Sequence, residues 1–230
     1  KQKTAYEIRN CDWSSDVCSS DLCYFPLTMN GFTAIGSVKN PPAIQLAEFN
    51  RATGVPVTNK ETIHYAGRFL GLKQRERWEY TFRTNASGVV ALVPVTDDGE
   101  LVLVEQYRIP VQSRVLELPA GLAGDAGDPN EDLKLAAARE LVEETGYQAK
   151  YLETVLIGPS SSGMTDEVLH IYYASGLLKV GEGGGDGSED ITVHLVPLDK
   201  ADSWLQQQIE TGLLVDPKVY AGLYWAGMRS

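Results

Sequence analysis

The stretch Leu118–Tyr147 reads LPAGLAGDAGDPNEDLKLAAARELVEETGY, and its second half carries the marks of a helix with defined ends. Asp128 is a good N-cap, Pro129 suits the first helical position, and Glu131 stands where a capping box places its acid. Gly146 supplies the residue that most readily takes the left-handed conformation closing a helix. Inside, Glu140, Glu143 and Glu144 are related as i, i+3 and i+4, so their carboxylates share a face. Locally this is unfavourable. Like charges at these spacings repel, and acids in the last turn oppose the helix dipole, each effect amounting to about 0.3–0.5 kcal/mol. Leu133, Ala137 and Leu141 make the opposite face apolar enough to bury, which would anchor the helix with its acids held in place. Arg139 can brace Glu143 at i+4 and reach back toward Glu131. Spacing alone leaves two readings: a solvated acidic face, or a site for a hard divalent cation whose charge cancels the repulsion.

Glu131, seven further residues and then Arg139-Glu140-Leu141-Val142-Glu143-Glu144-Thr145-Gly146-Tyr147 resemble the Nudix box, G-x5-E-x7-R-E-U-x-E-E-x-G-U with U apolar. Tyr147 fills the final apolar position. Upstream the chain departs from the pattern. Gly121 fits the opening glycine, but nine residues rather than five separate it from Glu131, so residues 122–130 read as a lengthened loop. The fold implied is α/β (α+β): a Nudix-type α/β/α sandwich with a mixed sheet, preceded by a small N-terminal antiparallel β subdomain.

Residues 1–22 read differently from the rest. KQKTAYE and DWSSDVCSSDL match, in order, what the two constant parts of a common sequencing-library adapter encode, with Ile8–Cys11 spanning the variable index. This segment is expected to show no packing on the domain, and a well-buried Trp13 would contradict the reading. Met29 is the candidate native start. The expected division is an adapter-derived segment at 1–22, an N-terminal extended and β subdomain at 23–85, and a catalytic domain with C-terminal helices at 86–230.

The chain has three cysteines; Cys11 and Cys18 fall in that segment and Cys23 at its edge, leaving no disulfide framework and no cysteine metal site. The formal charge is −11, and removing residues 1–22 changes it by a single unit, which argues against a nucleic-acid surface. No apolar run approaches a membrane span or a secretory leader, so a soluble, cytoplasmic protein is expected. Alternating runs in HYAGRFLGLKQRE and RWEYTFRTN suggest paired strands, and Asp98-Gly99 is a hairpin signal between VVALVPVT and LVLVEQYRIP. VLELP, YLETVLIG, EVLHIYYASGL and ITVHLVPL read as further strands. DKADSWLQQQIETG reads as a helix capped near Asp199; another begins at Asp216-Pro217, with Tyr220, Leu223, Tyr224 and Trp225 assigned to core or interface.

Beyond the box, roughly residues 60–225 resemble the ADP-ribose pyrophosphatase branch of the Nudix hydrolases. The resemblance rests on Trp78-Glu79 with Arg83, Glu105-Gln106-Tyr107-Arg108, Leu118-Pro119-Ala120-Gly121, and Ser188-Glu189-Asp190-Ile191. It implies hydrolysis of the diphosphate of ADP-ribose to AMP and ribose 5-phosphate. Glu140, Glu143, Glu144 and the carbonyl of Ala120 would hold Mg2+ (or Mn2+), with Arg139 braced by Glu131. Such ions neutralise the diphosphate oxygens, polarise phosphorus and acidify a bound water. Arg108 would offer the phosphates a fork of donors; its alternative is a surface salt bridge. Glu189 would be the base that activates water, with Asp190 and Glu182 in reserve. The run Gly183-Gly184-Gly185 would let its loop close over substrate, or serve as a plain linker. Trp78 would stack on the nucleotide base, with Glu79 and Arg83 beside it, in a homodimer sharing N-terminal strands; a core tryptophan is the alternative. His170 and His194 read as structural. Other readings are a different nucleoside-diphosphate sugar such as GDP-mannose, and a non-catalytic ADP-ribose-sensing module. The complete set of acids and the lack of room for an effector domain count against the sensor.

Overall fold

The computed structural model describes residues 60–125, 127–185 and 189–229. The adapter-like segment with Trp13, the candidate start Met29 and most of the N-terminal subdomain lie outside the described residues. In chain order the strands are β1 (Glu61–Ala66), β2 (Leu70–Arg75), β3 (Trp78–Arg83), β4 (Gly88–Pro94), β5 (Glu100–Arg108), β6 (Ser113–Glu117), β7 (Ala120–Ala123), β8 (Tyr147–Pro159), β9 (Val168–Lys179), β10 (Ile191–Pro197) and β11 (Leu214–Val215). The helices are α1 (Leu133–Thr145), α2 (Ala201–Glu210) and α3 (Pro217–Gly227).

β4 sits at the centre. Its sequence GVVALVP is apolar at consecutive positions, the pattern of a strand covered on both faces. Val90 and Leu92 join the core under α1, while Ala91 and Val93 join the core on the other side, all four fully buried. The sheet around it runs β7-β4-β9-β8, with β4 and β9 parallel and the other neighbours antiparallel. A second mixed sheet runs β10-β5-β6-β11. Ala136, Ala137 and Leu141 of α1 pack on Ala123, Tyr172 and Ala174. On the opposite side Ala201 and Leu205 of α2 and Val219 and Ala226 of α3 pack with Leu101, Leu103, Leu116 and Ile171. Helices thus cover the strands from two sides, the expected α/β/α arrangement with a mixed sheet.

β1, β2 and β3 form a separate antiparallel sheet. It is joined to the segment ahead of β9: the Thr81 amide donates to Met164 O at 2.8 Å, and the Asp166 amide donates to Thr81 O at 3.2 Å.

Several local expectations are corrected. The turn at Asp98-Gly99 forms, but after one bridge, Val95 to Leu101, the strands part into different sheets. The reason is that both strands are apolar on both faces, so each is covered by its own layer. Asp199 lies in a short 3-10 turn, Leu198–Lys200, and α2 starts without a side-chain cap. Asp216 does cap α3, accepting from the Lys218 amide at 2.7 Å. On that helix Val219, Gly222 and Ala226 are buried, while Tyr220 and Tyr224 are exposed.

Candidate active site

α1 presents the acids, and both of its ends are built for that task. Its N-cap is Asp132, four residues after the expected Asp128; the Asp132 carboxylate accepts from the Lys134 and Leu135 amides. Asp128 instead organises the turn before it, accepting from the Asn130 amide at 3.0 Å on Oδ1 and from the Glu131 amide at 2.9 Å on its carbonyl. Glu131 is thereby freed from a capping box. It accepts from the Gly124 amide at 3.0 Å and from Arg139. At the other end Gly146 takes φ 71°, as expected of a C-terminal stop.

The acids in the last turn are compensated from outside the helix. Gly184 donates its amide to Glu144 O at 2.9 Å, and Gly185 donates to Glu143 O at 3.0 Å. Lys179 of β9 brings Nζ to Thr145 O at 2.9 Å. Two amides and an ammonium thus satisfy carbonyls that a helix end leaves open, and place positive charge at the negative pole.

Arg139 binds the cluster together. Its Nε donates to Glu131 at 3.1 Å, Nη1 to Glu140 and Glu143 at 3.0 Å each, and Nη2 to Leu122 O at 2.9 Å and Glu131 at 3.2 Å. A lysine has one donor atom and could not reach these five acceptor atoms. Hydrogen bonding to Glu131 holds the guanidinium firmly protonated.

Glu140 is 9% exposed and Glu144 3%, whereas Glu143 is open to solvent. Burial pushes the carboxyl of Glu140 up to about 7 and that of Glu144 up to about 8. The Glu144 carboxylate accepts the Ala120 amide at 3.0 Å. Gly121 makes the fit tight: a Cβ there would lie 1.9 Å from the carboxyl carbon of Glu140. Among the described residues no three acid, histidine or cysteine side chains already converge as a metal cage, since these carboxylates are turned to Arg139 and Ala120. The donor chemistry fits a hard divalent ion nonetheless. It consists of carboxylate oxygens, and the burial that raises the Glu140 and Glu144 carboxyls is a cost that a bound divalent cation would offset.

These acids open on a cleft of ≈ 620 Å³ that also takes in Ala120, Arg83, Arg108 and Glu189. Arg83 is held by Glu167 and Arg108 by Glu117, each through Nε at 2.6 Å. Trp78 and Glu79 do not line this cleft. Trp78 is 55% exposed rather than a core residue, and its Nε1 donates to Gly163 O at 3.1 Å. His194 has a partner after all, Glu105 at 2.9 Å, while His170 is partly buried on β9.

Sequence reading missed Glu117 and Glu167, the carboxylates that orient the two arginines. Strand register gives no sign of the first pair: Arg108 stands opposite Ser113, and Glu117 opposite Val104. The second joins the end of β3 to the residue just ahead of β9, distant in sequence. Lys218, also on the cleft wall, carried no motif.

Comparison with known proteins fits this geometry. The NUDIX domain family model matches residues 85–215, and the chain belongs to the Nudix family. It is 36% identical over 137 residues to an ADP-ribose pyrophosphatase of Mycobacterium tuberculosis, covering 59% of this chain and 63% of that protein. It is 35% identical over 122 residues to a methanol dehydrogenase activator of Bacillus methanolicus, covering 53% of this chain and 64% of the relative. An ADP-sugar pyrophosphatase of Mus musculus is 33% identical over 158 residues, 63% of this chain and 71% of that one. The matched part therefore spans somewhat under two thirds of the first two of these relatives. A solved ADP compounds hydrolase shares the fold, with a TM-score of 0.55 and 22% identity over 74% of this chain and 90% of its own.

Proposed function

We propose that the chain hydrolyses the diphosphate bond of ADP-ribose to AMP and ribose 5-phosphate, with Mg2+ as cofactor and Mn2+ as a substitute. The observation that carries this reading is the convergence of Glu140, Glu143 and Glu144 with Arg83 and Arg108 on one cleft. Acids alone would repel a diphosphate and arginines alone would bind it without activating it; both together suit a phosphate held through cations. When bound, the divalent ions neutralise the diphosphate oxygens and lower the pKa of a bound water. Glu140, Glu143, Glu144 and the Ala120 carbonyl would hold them, with Arg139 and Glu131 keeping the acids aligned. Arg83 and Arg108, steadied by Glu167 and Glu117, bind the phosphate oxygens. Glu189 takes a proton from the attacking water, whose oxygen bonds to phosphorus as the bridging P–O bond breaks.

Trp78 and Glu79 would contact the nucleotide base in a homodimer built through the N-terminal strands, with 23–85 as the dimerising and base-contacting part. The exposed Ile63, Tyr65 and Trp78 on that sheet favour this assembly. No helix among the described residues is long and apolar enough to cross a membrane, and we place the protein in the cytoplasm. A broader preference for nucleoside-diphosphate sugars is the second reading, favoured by the similarity to an ADP-sugar pyrophosphatase. Incubation with Mg2+ and ADP-ribose, ADP-glucose, GDP-mannose or NADH, followed by chromatography of the products, separates them. Selective AMP release from ADP-ribose supports the first reading, and comparable release from the other sugars the second. Binding without turnover contradicts both and favours a sensor.

A further inference from the structure

Described residues on both sides of Glu189 are held by hydrogen bonds. On its N-terminal side Gly183, Gly184 and Gly185 all have positive φ (76°, 103° and 89°). They lie against the end of α1, where two of their amides bind the carbonyls of Glu143 and Glu144. A Cβ on Gly183 would lie 2.7 Å from Glu144 O, and one on Gly185 would lie 2.4 Å from the Glu189 carboxylate. These glycines are a close-fitting contact, in place of the hinge that their sequence suggests.

On its C-terminal side stands Arg114 of β6. It reaches across β5, where it pairs with Glu105, to the start of β10 and the residue just before it. There Nη1 donates to the Asp190 carboxylate at 2.9 Å, and Nη2 to Asp190 O at 3.4 Å and Thr192 Oγ1 at 3.4 Å. Glu105 is fixed in turn by His194 at 2.9 Å. Three adjacent strands thus contribute to one network whose far end is the residue after Glu189. Arg114 itself does not line the cleft, so it makes no contact there that would explain the arrangement.

We propose that Arg114 is a positioning residue for the reaction: by holding the side chain and carbonyl of Asp190 it fixes the approach of Glu189 to the acids of α1. The inference rests on the role proposed for Glu189. A carboxylate on an untethered segment would sample many positions, and small displacements of a proton acceptor cost rate steeply. Arg83 and Arg108 are oriented by other carboxylates, Glu167 and Glu117, so substrate affinity is expected to be separable from turnover.

The test is a double-mutant cycle on the full chain, reading kcat and KM with ADP-ribose and Mg2+. Arg114→Gln is expected to lower kcat roughly tenfold to a hundredfold with KM nearly unchanged. Arg114→Lys is expected to restore part of the loss. Combining Arg114→Gln with Glu189→Gln should be no worse than Glu189→Gln alone. Asp190→Ala removes the other half of the contact at a side chain 85% exposed, so it reports on the same tether if Arg114→Gln fails to fold. Normal kcat in Arg114→Gln or, if that variant does not fold, in Asp190→Ala overturns the inference. Losses that multiply in the double variant do the same. Normal turnover in Glu189→Gln itself would overturn the role assigned to Glu189, and the inference with it.

Discussion

At the scale of single residues, the site depends on what is missing as much as on what is present. Gly121 leaves room for the Glu140 carboxylate that any side chain would take. Gly121→Ala should therefore expel Glu140, cost about 2 kcal/mol of stability and reduce turnover. Thermal unfolding and steady-state rates check this, and wild-type values in both would show that the backbone yields. The buried carboxylates also set a pH dependence. Glu144 has its folded pKa raised to about 8, above the 4.5 expected in the unfolded chain. Protonated Glu144 therefore stabilises the metal-free protein fully below that lower value, and the contribution is lost as pH rises through the upper one. In EDTA the unfolding midpoint should fall between pH 5 and 8.5, Glu144→Gln should flatten the fall, and added Mg2+ should reverse it. A midpoint that rises in EDTA over this range would contradict the burial argument.

At the scale of elements, α1 was legible because its motif is local: Arg139, three glutamates and a closing glycine within eight residues fix a helix and a face. Its first turn was misread because Asp128-Pro129 imitates a helix start, while Glu131 has a stronger partner in Arg139 than a capping box offers. The strands were legible from their apolar runs, but the split between β4 and β5 was not, because a turn signal says nothing about which layer a strand joins. The Gly183–Gly185 run shows the same limit, since a glycine needed for close approach looks identical in sequence to one needed for motion. Gly183→Ala should strain a φ of 76° and press on the carbonyl of Glu144, lowering stability by about 1–3 kcal/mol. A stability at or above wild type, measured by denaturant unfolding, would restore the linker reading.

At the scale of the whole molecule, one helix brings acids and two separate strands bring arginines to a common cleft, and each arginine carries a carboxylate supplied from elsewhere in the chain, Glu117 from the end of β6 and Glu167 from just ahead of β9. The box disclosed the first half of that design. The partners Glu117 and Glu167 were beyond reading, because they meet their arginines through tertiary placement and follow neither a spacing nor a strand register. If the proposed homodimer forms through the three-stranded sheet with its exposed Ile63, Tyr65 and Trp78, light scattering should give twice the chain mass; a monomer at micromolar concentration would remove the partner from the account. The most direct test of the central claim is AMP release from ADP-ribose, measured with Mg2+ for wild type and Glu144→Gln side by side. The account predicts release by wild type that EDTA abolishes, and a loss of at least roughly a hundredfold in the variant. Equal release by the two, or release that persists in EDTA, would contradict it.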